Sequence, residues 1–134
     1  MKKFILPVLL AVLLISMYAY WQYNRTTESV ENQSVDVSIT ALDLLKAYQT
    51  DETAANVKYL DKVIVVSGKV GVITTANKIT SISFDSGDPM SSIICELDPN
   101  AKAIGVRMGA DLVIKGKCTG FLSDVVLTDC FIQK

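Results

Sequence analysis

The run Lys62 to Ile73 (KVIVVSGKVGVI) constrains this chain more than any other segment. Its residues are mostly β-branched and its apolar period is two, which a helix cannot satisfy and a half-buried strand can. Ile64, Val66, Gly68, Val70 and Val72 fall on one face. Gly68 and Gly71 interrupt the run where a missing side chain permits a bulge or a barrel corner, so the strand is predicted to be long and strongly bent.

Four further strands follow from the same reasoning. After a turn at Thr74–Asn77, Lys78 to Phe84 alternates with Thr80, Ile82 and Phe84 on one face. Asp85-Ser86-Gly87-Asp88-Pro89 is loop chemistry,. Ser92–Leu97 then makes a third strand, Ala110–Thr119 a fourth and Val125–Ile132 a fifth. Between the third and fourth, Asp98-Pro99 opens a short helical insertion ending near Gly105–Gly109,. Ahead of the strands, Thr40-Ala41-Leu42-Asp43 starts a helix that buries Leu42, Leu45 and Tyr48, and a second short helix runs from Asp51 to Lys58,. Asp43, Asp51 and Glu52 therefore read as caps and solvated acids rather than as catalytic pairs. Five strands, the first long and bent, with a helix between the third and fourth, match the plan of the OB-fold, a five-stranded Greek-key barrel. An SH3-like barrel is the rival of similar size, and the inserted helix favours the OB plan. Ile64, Val66, Val70, Ile82, Ile93, Leu112, Ile114 and Val126 are the predicted core.

Phe4 to Trp21 is an 18-residue stretch in which Ser16 is the clearly polar residue. It is long enough to be read as one transmembrane helix, with Pro7 in its first turn and Tyr18, Tyr20, Trp21 and Tyr23 as an interfacial belt,. A cleaved signal peptide is the rival, but Met17 and the tyrosines around Ala19 make a poor cleavage site. Lys2 and Lys3 before the run, against Arg25 after it, place the N-terminus in the cytoplasm and the domain outside the cell membrane, which the helix crosses once,. The expected organisation is an anchor at 1–23, a flexible polar linker at 24–37 and an OB domain at 38–134. Two N-x-[ST] matches, Asn24-Arg25-Thr26 and Asn32-Gln33-Ser34, lie in the linker and are too short a pattern to carry weight,.

The chain has 13 basic and 14 acidic residues; setting aside three of each sign that lie before residue 37 leaves ten against eleven for the domain. A dedicated duplex-DNA binder carries a basic stripe, and this domain is balanced. There is no histidine. The commonest general acid–base and zinc ligand is thus missing, and no residue constellation announces a reaction, a metal or a cofactor. The domain is expected not to be an enzyme.

Particular residues carry a family resemblance. The stretch LLKAYQTDETAANVKYLDKVIVVSGKV, with GDPMSSIICEL and VIKGKCTGFLSDVVLTDCFI after it, resembles the tRNA_anti-like family of small bacterial OB-fold proteins, some of them lipoproteins. Tyr48, Ala55, Lys58-Tyr59, Gly68, and the segment from Cys118-Thr119-Gly120 to Leu127 are its most specific parts. The resemblance implies a fold, and by fold analogy a nucleic-acid or oligosaccharide ligand. No lipid-attachment cysteine follows the apolar run.

On the usual OB surface, the face of OB strands two and three with the one–two and four–five loops, the candidate contacts are Asn77, Lys78, Phe84, Lys115, Lys117 and Phe121,. A structural role in the core is the competing reading for each aromatic. An envelope protein adaptor is the alternative function, since a neutral barrel needs no charged groove. Cys95, Cys118 and Cys130 leave at least one thiol unpaired within the chain,. Cys118 and Cys130 share the parity of Ile114 and Val126. A hairpin centred near Asp124 sets them opposite each other for a disulfide, whereas a turn at Leu122-Ser123 sets Cys118 opposite Leu127 and leaves the two thiols too far apart to bridge.

Overall fold

The computed structural model describes residues 2–23 and 28–133, with the side chains of the first helix described from Pro7 onward. The elements in chain order are α1 (Lys2–Tyr23), β1 (Val37–Thr40), α2 (Ala41–Thr50), α3 (Glu52–Tyr59), β2 (Val63–Ala76), β3 (Ile79–Phe84), β4 (Ile93–Leu97), β5 (Asp111–Phe121) and β6 (Val125–Gln133). The sheet order is β1-β2-β3-β4-β6-β5, and an additional β2–β5 pairing closes it. β2 serves both sides of the closure. Val63–Lys69 pair with β5, and Val70–Ala76 pair with β3. The register slips between Val70 and Val72, so the bend falls where Gly71 interrupts the apolar run,. β4 and β6 run parallel, with β5 between them in sequence.

The two helices form as their caps dictate. Thr40 accepts from the Asp43 amide at 3.1 Å and Asp51 from the Ala54 amide at 3.0 Å,. α2 turns Ala41, Leu44, Leu45 and Tyr48 into the barrel, and α3 adds Ala55 and Tyr59. Leu42, expected on that stripe, is exposed, because the buried arc is set by Leu44 and Leu45. Gly68 lets α2 seat: a Cβ there would lie 2.9 Å from the Ala41 Cβ and 3.0 Å from the Phe84 ring.

Six of the eight predicted core residues are buried, namely Ile64, Val66, Val70, Ile82, Ile93 and Ile114. Leu112 is half-buried. Val126 is also half-buried, and its neighbours Val125 and Leu127 take the interior instead. The parity then reverses at a second irregularity. Asp129 adopts a left-handed backbone, φ 51°, and returns Cys130 to the core beside Leu127,.

Three expectations are corrected. No helix links β4 to β5: residues 98–110 are loop and turns. The Asp98 carboxylate accepts the Asn100 amide at 2.7 Å, which closes an Asx turn in place of a helical one,. Gly105 and Gly109 sit at φ 79° and 80°, outside helical space,. The second correction concerns the N-terminus. Among the described residues no helix is long and apolar enough to cross a membrane. The transmembrane anchor, the single-pass placement and the orientation drawn from it do not stand. Ser16 interrupts the apolar run, and the polar tips of Tyr18, Tyr20, Trp21, Gln22 and Tyr23 follow it. The side chains of Lys2 and Lys3, and residues 24–27 with Arg25 and the first N-x-[ST] match, lie outside the described residues.

The third correction concerns the linker. Its C-terminal part is docked on the barrel. Ser29–Asn32 close a turn whose Val30 is 3 % exposed, packed with Val63 and Phe131. The Lys115 ammonium donates to the carbonyls of Glu31, at 2.9 Å, and Gln33. Asp36 bonds the Val63 backbone through both its amide and its carboxylate, and Val37–Thr40 continue as a parallel strand on β2. Lys115→Ala should release this strap: amide exchange at residues 29–33 should rise at least tenfold while the melting temperature of the barrel moves by only a few degrees.

Candidate functional site

The six candidate contacts do not converge. Asn77 and Lys78 form the exposed two-residue tip between β2 and β3, both left-handed at φ 50° and 68°,. Phe84 is 1 % exposed and belongs to the core beneath Gly68. Lys115 is buried under the strap, its ammonium committed to two carbonyls. Lys117 pairs with Asp61 at 3.7 Å, in a separate cleft whose other charged residues, Glu28, Asp98 and Asp129, are acidic. Phe121 alone borders an open cleft of low charge.

That cleft lies between the C-terminal end of α3 and the β5–β6 hairpin. Its volume is about 440 Å³, and it is lined by Asn56, Leu60, Thr119, Gly120, Phe121, Leu122 and Val126. The spacing of Asn56 and Leu60, four residues apart, puts them on one helix face. Gly120, at φ 114°, brings the hairpin backbone close to Leu60, whose Cδ1 would lie 3.4 Å from a Cβ at that position. The hairpin is held from behind. Asp124 accepts from both the amide and the hydroxyl of Ser92, at 2.7 and 2.9 Å, and Phe121 stacks on Tyr48 at 5.7 Å. Leu122, in the loop between them, is 95 % exposed. The Thr119 hydroxyl is spent on the Val126 carbonyl at 2.9 Å. The Asn56 side-chain oxygen, by contrast, is buried and has no hydrogen-bond partner, a state that costs about 1–3 kcal/mol.

The lining residues include no titratable side chain, so the cleft offers largely apolar contact and no proton transfer of its own,. Behind it the polar groups are held neutral. Burial, and then the bond between its hydroxyl and the Cys118 thiol at 3.4 Å, pushes the Tyr48 phenol well above its ordinary range,. A hydrogen bond with Cys95, and then burial, pushes the Cys130 thiol up. All three thiols are free and buried. β5 pairs with β6 so that Cys118 lies opposite Leu127, the tighter of the two hairpin registers, and Cys130 meets Cys95 instead of Cys118. Both raised groups hold their protons more tightly in the folded state than in the unfolded chain. Their stabilisation is present below the ordinary thiol and phenol range and is lost above it. Melting temperature should therefore stay level from neutral pH to about 8.5 and fall through pH 9–11; a rise over that window contradicts the assignment.

The family model tRNA_anti-like matches residues 1–132. The chain belongs to the tRNA_anti-like family. Among solved structures, the barrel is similar to a crystal structure from Klebsiella pneumoniae subsp. pneumoniae described as a "putative nucleic acid-binding lipoprotein". The TM-score is 0.54 at 13 % identity, over 72 % of this chain and 92 % of that one, a likeness that shows the fold. The sequence matches none of the curated proteins. The family match spans the barrel and the helices beside the cleft. Asn56, Leu60 and Leu122 were not legible as site residues. The one signal was an apolar Phe121-Leu122 pair in a hairpin turn, a place that usually takes polar residues.

Proposed function

We propose that this tRNA_anti-like protein is a non-catalytic binding module that takes single-stranded nucleic acid at the cleft between α3 and the β5–β6 hairpin. The observation that carries the reading is the cleft itself, which joins an aromatic at its edge to apolar walls and an exposed Leu122. Aromatic edges and apolar walls suit unstacked bases, and every base has a face to offer. The name of the Klebsiella neighbour is in keeping with this class of ligand. Near-neutral charge calls for contacts to bases more than to phosphates, so the salt dependence of binding should be shallow. The test is a titration of the isotope-labelled full chain with a mixed-sequence 12-mer DNA, followed by amide shifts. Shifts should concentrate at residues 56–60 and 119–126. An unperturbed spectrum contradicts the reading.

A second reading has its own observation. Val72 and Ile79 are 54 % and 43 % exposed on the same face of the β2–β3 arm, which suits a protein adaptor surface. Shifts confined to residues 72–80 on addition of a partner protein would favour it.

A further inference from the structure

We infer that this chain pairs with a second copy of itself, edge to edge, through residues 72–76 of β2. The inference stands apart from the cleft, whose lining residues all lie outside β2 and β3. It gives the exposed Val72 and Ile79 a partner of the same sequence. β5 accompanies β2 only as far as Lys69, opposite Asp111. Beyond the slip at Gly71, β2 and β3 run on as a two-stranded arm. Among the described residues no strand pairs with the outer edge of Val72–Ala76. The Asp85 amide donates to the Lys69 carbonyl at 2.8 Å, and ladder bonds alternate along a strand, so Ser83, Ser81 and Ile79 turn theirs to β2,. A two-residue turn at Asn77-Lys78 demands the same closing pair, Ala76 with Ile79,. Val72, Thr74 and Ala76 answer these three, and the amides and carbonyls of Ile73 and Thr75 are left facing away from the arm.

An open edge is a template for another strand, and natural edges are blunted with lysine, proline or an inward charge. Val72-Ile73-Thr74-Thr75-Ala76 has none of these and is β-branched but for Ala76,. The segment is also complementary to itself. Laid antiparallel on a second copy, about a two-fold axis at Thr74, Ile73 meets Thr75 of the second copy and Thr75 meets its Ile73. Both pairs are of the hydrogen-bonded kind, so every outward amide of the two copies finds a carbonyl. The side chains agree with this register. Val72, Thr74, Ala76 and Ile79 share the outer face of the arm,. Val72, 54 % exposed, comes to lie against Ala76 of the second copy, with the exposed Ile79 of that copy next in the row. Ala76 is small enough to leave both in contact. No charged residue falls in the paired window, so no like charges meet. A five-residue edge buries well under the roughly 1,200 Å² of a standard interface, so the dimer is weak, dissociating on the order of 0.1 mM.

The experiment is cysteine cross-linking of the full chain with diamide as oxidant. Thr74→Cys sets two thiols across the two-fold axis in a non-hydrogen-bonded pair, with Cα atoms about 4.5 Å apart and within reach of a disulfide. Ser81→Cys, on the same face and one strand further in, sets them three strand spacings apart, about 14 Å, out of reach,. The native thiols are buried and take no part. Thr74→Cys should give a covalent dimer about tenfold faster than Ser81→Cys, or better, as the reach of the bond dictates. Adding Thr75→Pro to Thr74→Cys should bring the rate down to that of Ser81→Cys, because proline removes an outward amide that β3 does not use. Equal rates for the two cysteine variants overturn the inference, and so does a Thr74→Cys rate that Thr75→Pro leaves unchanged. Should Thr75→Pro unfold the arm, amide exchange in the wild type decides. Between about 20 µM and about 1 mM protein, exchange at Ile73 and Thr75 should slow about threefold while Thr74, bonded to β3 throughout, stays level. Exchange independent of concentration overturns the inference, and either failure leaves nucleic-acid binding at the cleft untouched.

Discussion

Gly116→Ala should be among the most damaging single substitutions in this protein, lowering stability by about 2–4 kcal/mol in chemical denaturation. Gly116 lies in the middle of β5, paired with Ile64 of β2, where glycine is intrinsically a poor choice,. Its absence of a side chain is used by what lies above it. A Cβ there would collide with the Cys130 sulfur and stand 3.3 Å from the Leu127 Cβ and 3.4 Å from the Leu127 Cδ2. Neither neighbour can step aside. Cys130 and Leu127 are fully buried, and Cys130 is held in place by the left-handed turn at Asp129. A core at crystal-like density relieves such a contact only by moving a strand. Cys130→Ala removes the sulfur that the new methyl would strike, so in the double substitution the destabilisation should be well below the sum of the two singles. Additivity would show that the strain lies elsewhere.

Tyr48→Ala is expected to lower stability by about 3–5 kcal/mol and to disturb the cleft at the same time. Tyr48 is 2 % exposed and joins the three parts that make the site. Its ring stacks on Phe121 at 5.7 Å and tilts against Tyr59 of α3 at 6.2 Å, while its hydroxyl reaches the Cys118 sulfur of β5 at 3.4 Å. Truncation leaves a cavity with an aromatic on either side, and Phe121 loses the support that fixes it at the cleft edge. Tyr48→Phe keeps the rings and gives up only the bond to sulfur, so about 1 kcal/mol or less should be lost and the amide shifts of residues 119–122 should stay near wild type. Equal losses for Ala and Phe would mean that the hydroxyl, and not the stacking, holds the helix to the barrel.

The sequence by itself determined β2 to β6 and the starts of α2 and α3. Period-two runs of β-branched residues mark β2 to β6, and Thr40 and Asp51 are side chains whose capping bonds need no tertiary partner,. Local chemistry is enough for such features. The insertion after Asp98 shows where local reasoning divides. Asp98-Pro99 can open a helix or an Asx turn, and with two left-handed glycines following, the turn prevails,.

Tertiary structure decided which sides of the elements face inward, and it built the site. Strand parity forecast Val126 as core, yet irregularities in the β5–β6 pairing gave the interior to Val125, Leu127 and Cys130. A bulge depends on how two strands share their hydrogen bonds, which neither strand encodes alone. Lys115 reads from its own strand as an outward cation, and it is buried because a turn more than 80 residues earlier brings two carbonyls to it. Phe84 reads equally well as a stacking platform or as core, and only the closed barrel assigns it to the core. The cleft goes furthest beyond the sequence, because Asn56 and Leu122 become neighbours only when α3 packs on β5. An asparagine in a short helix carries no local mark of function. Its missing partner is a property of the space around it, and that space exists only in the folded chain,.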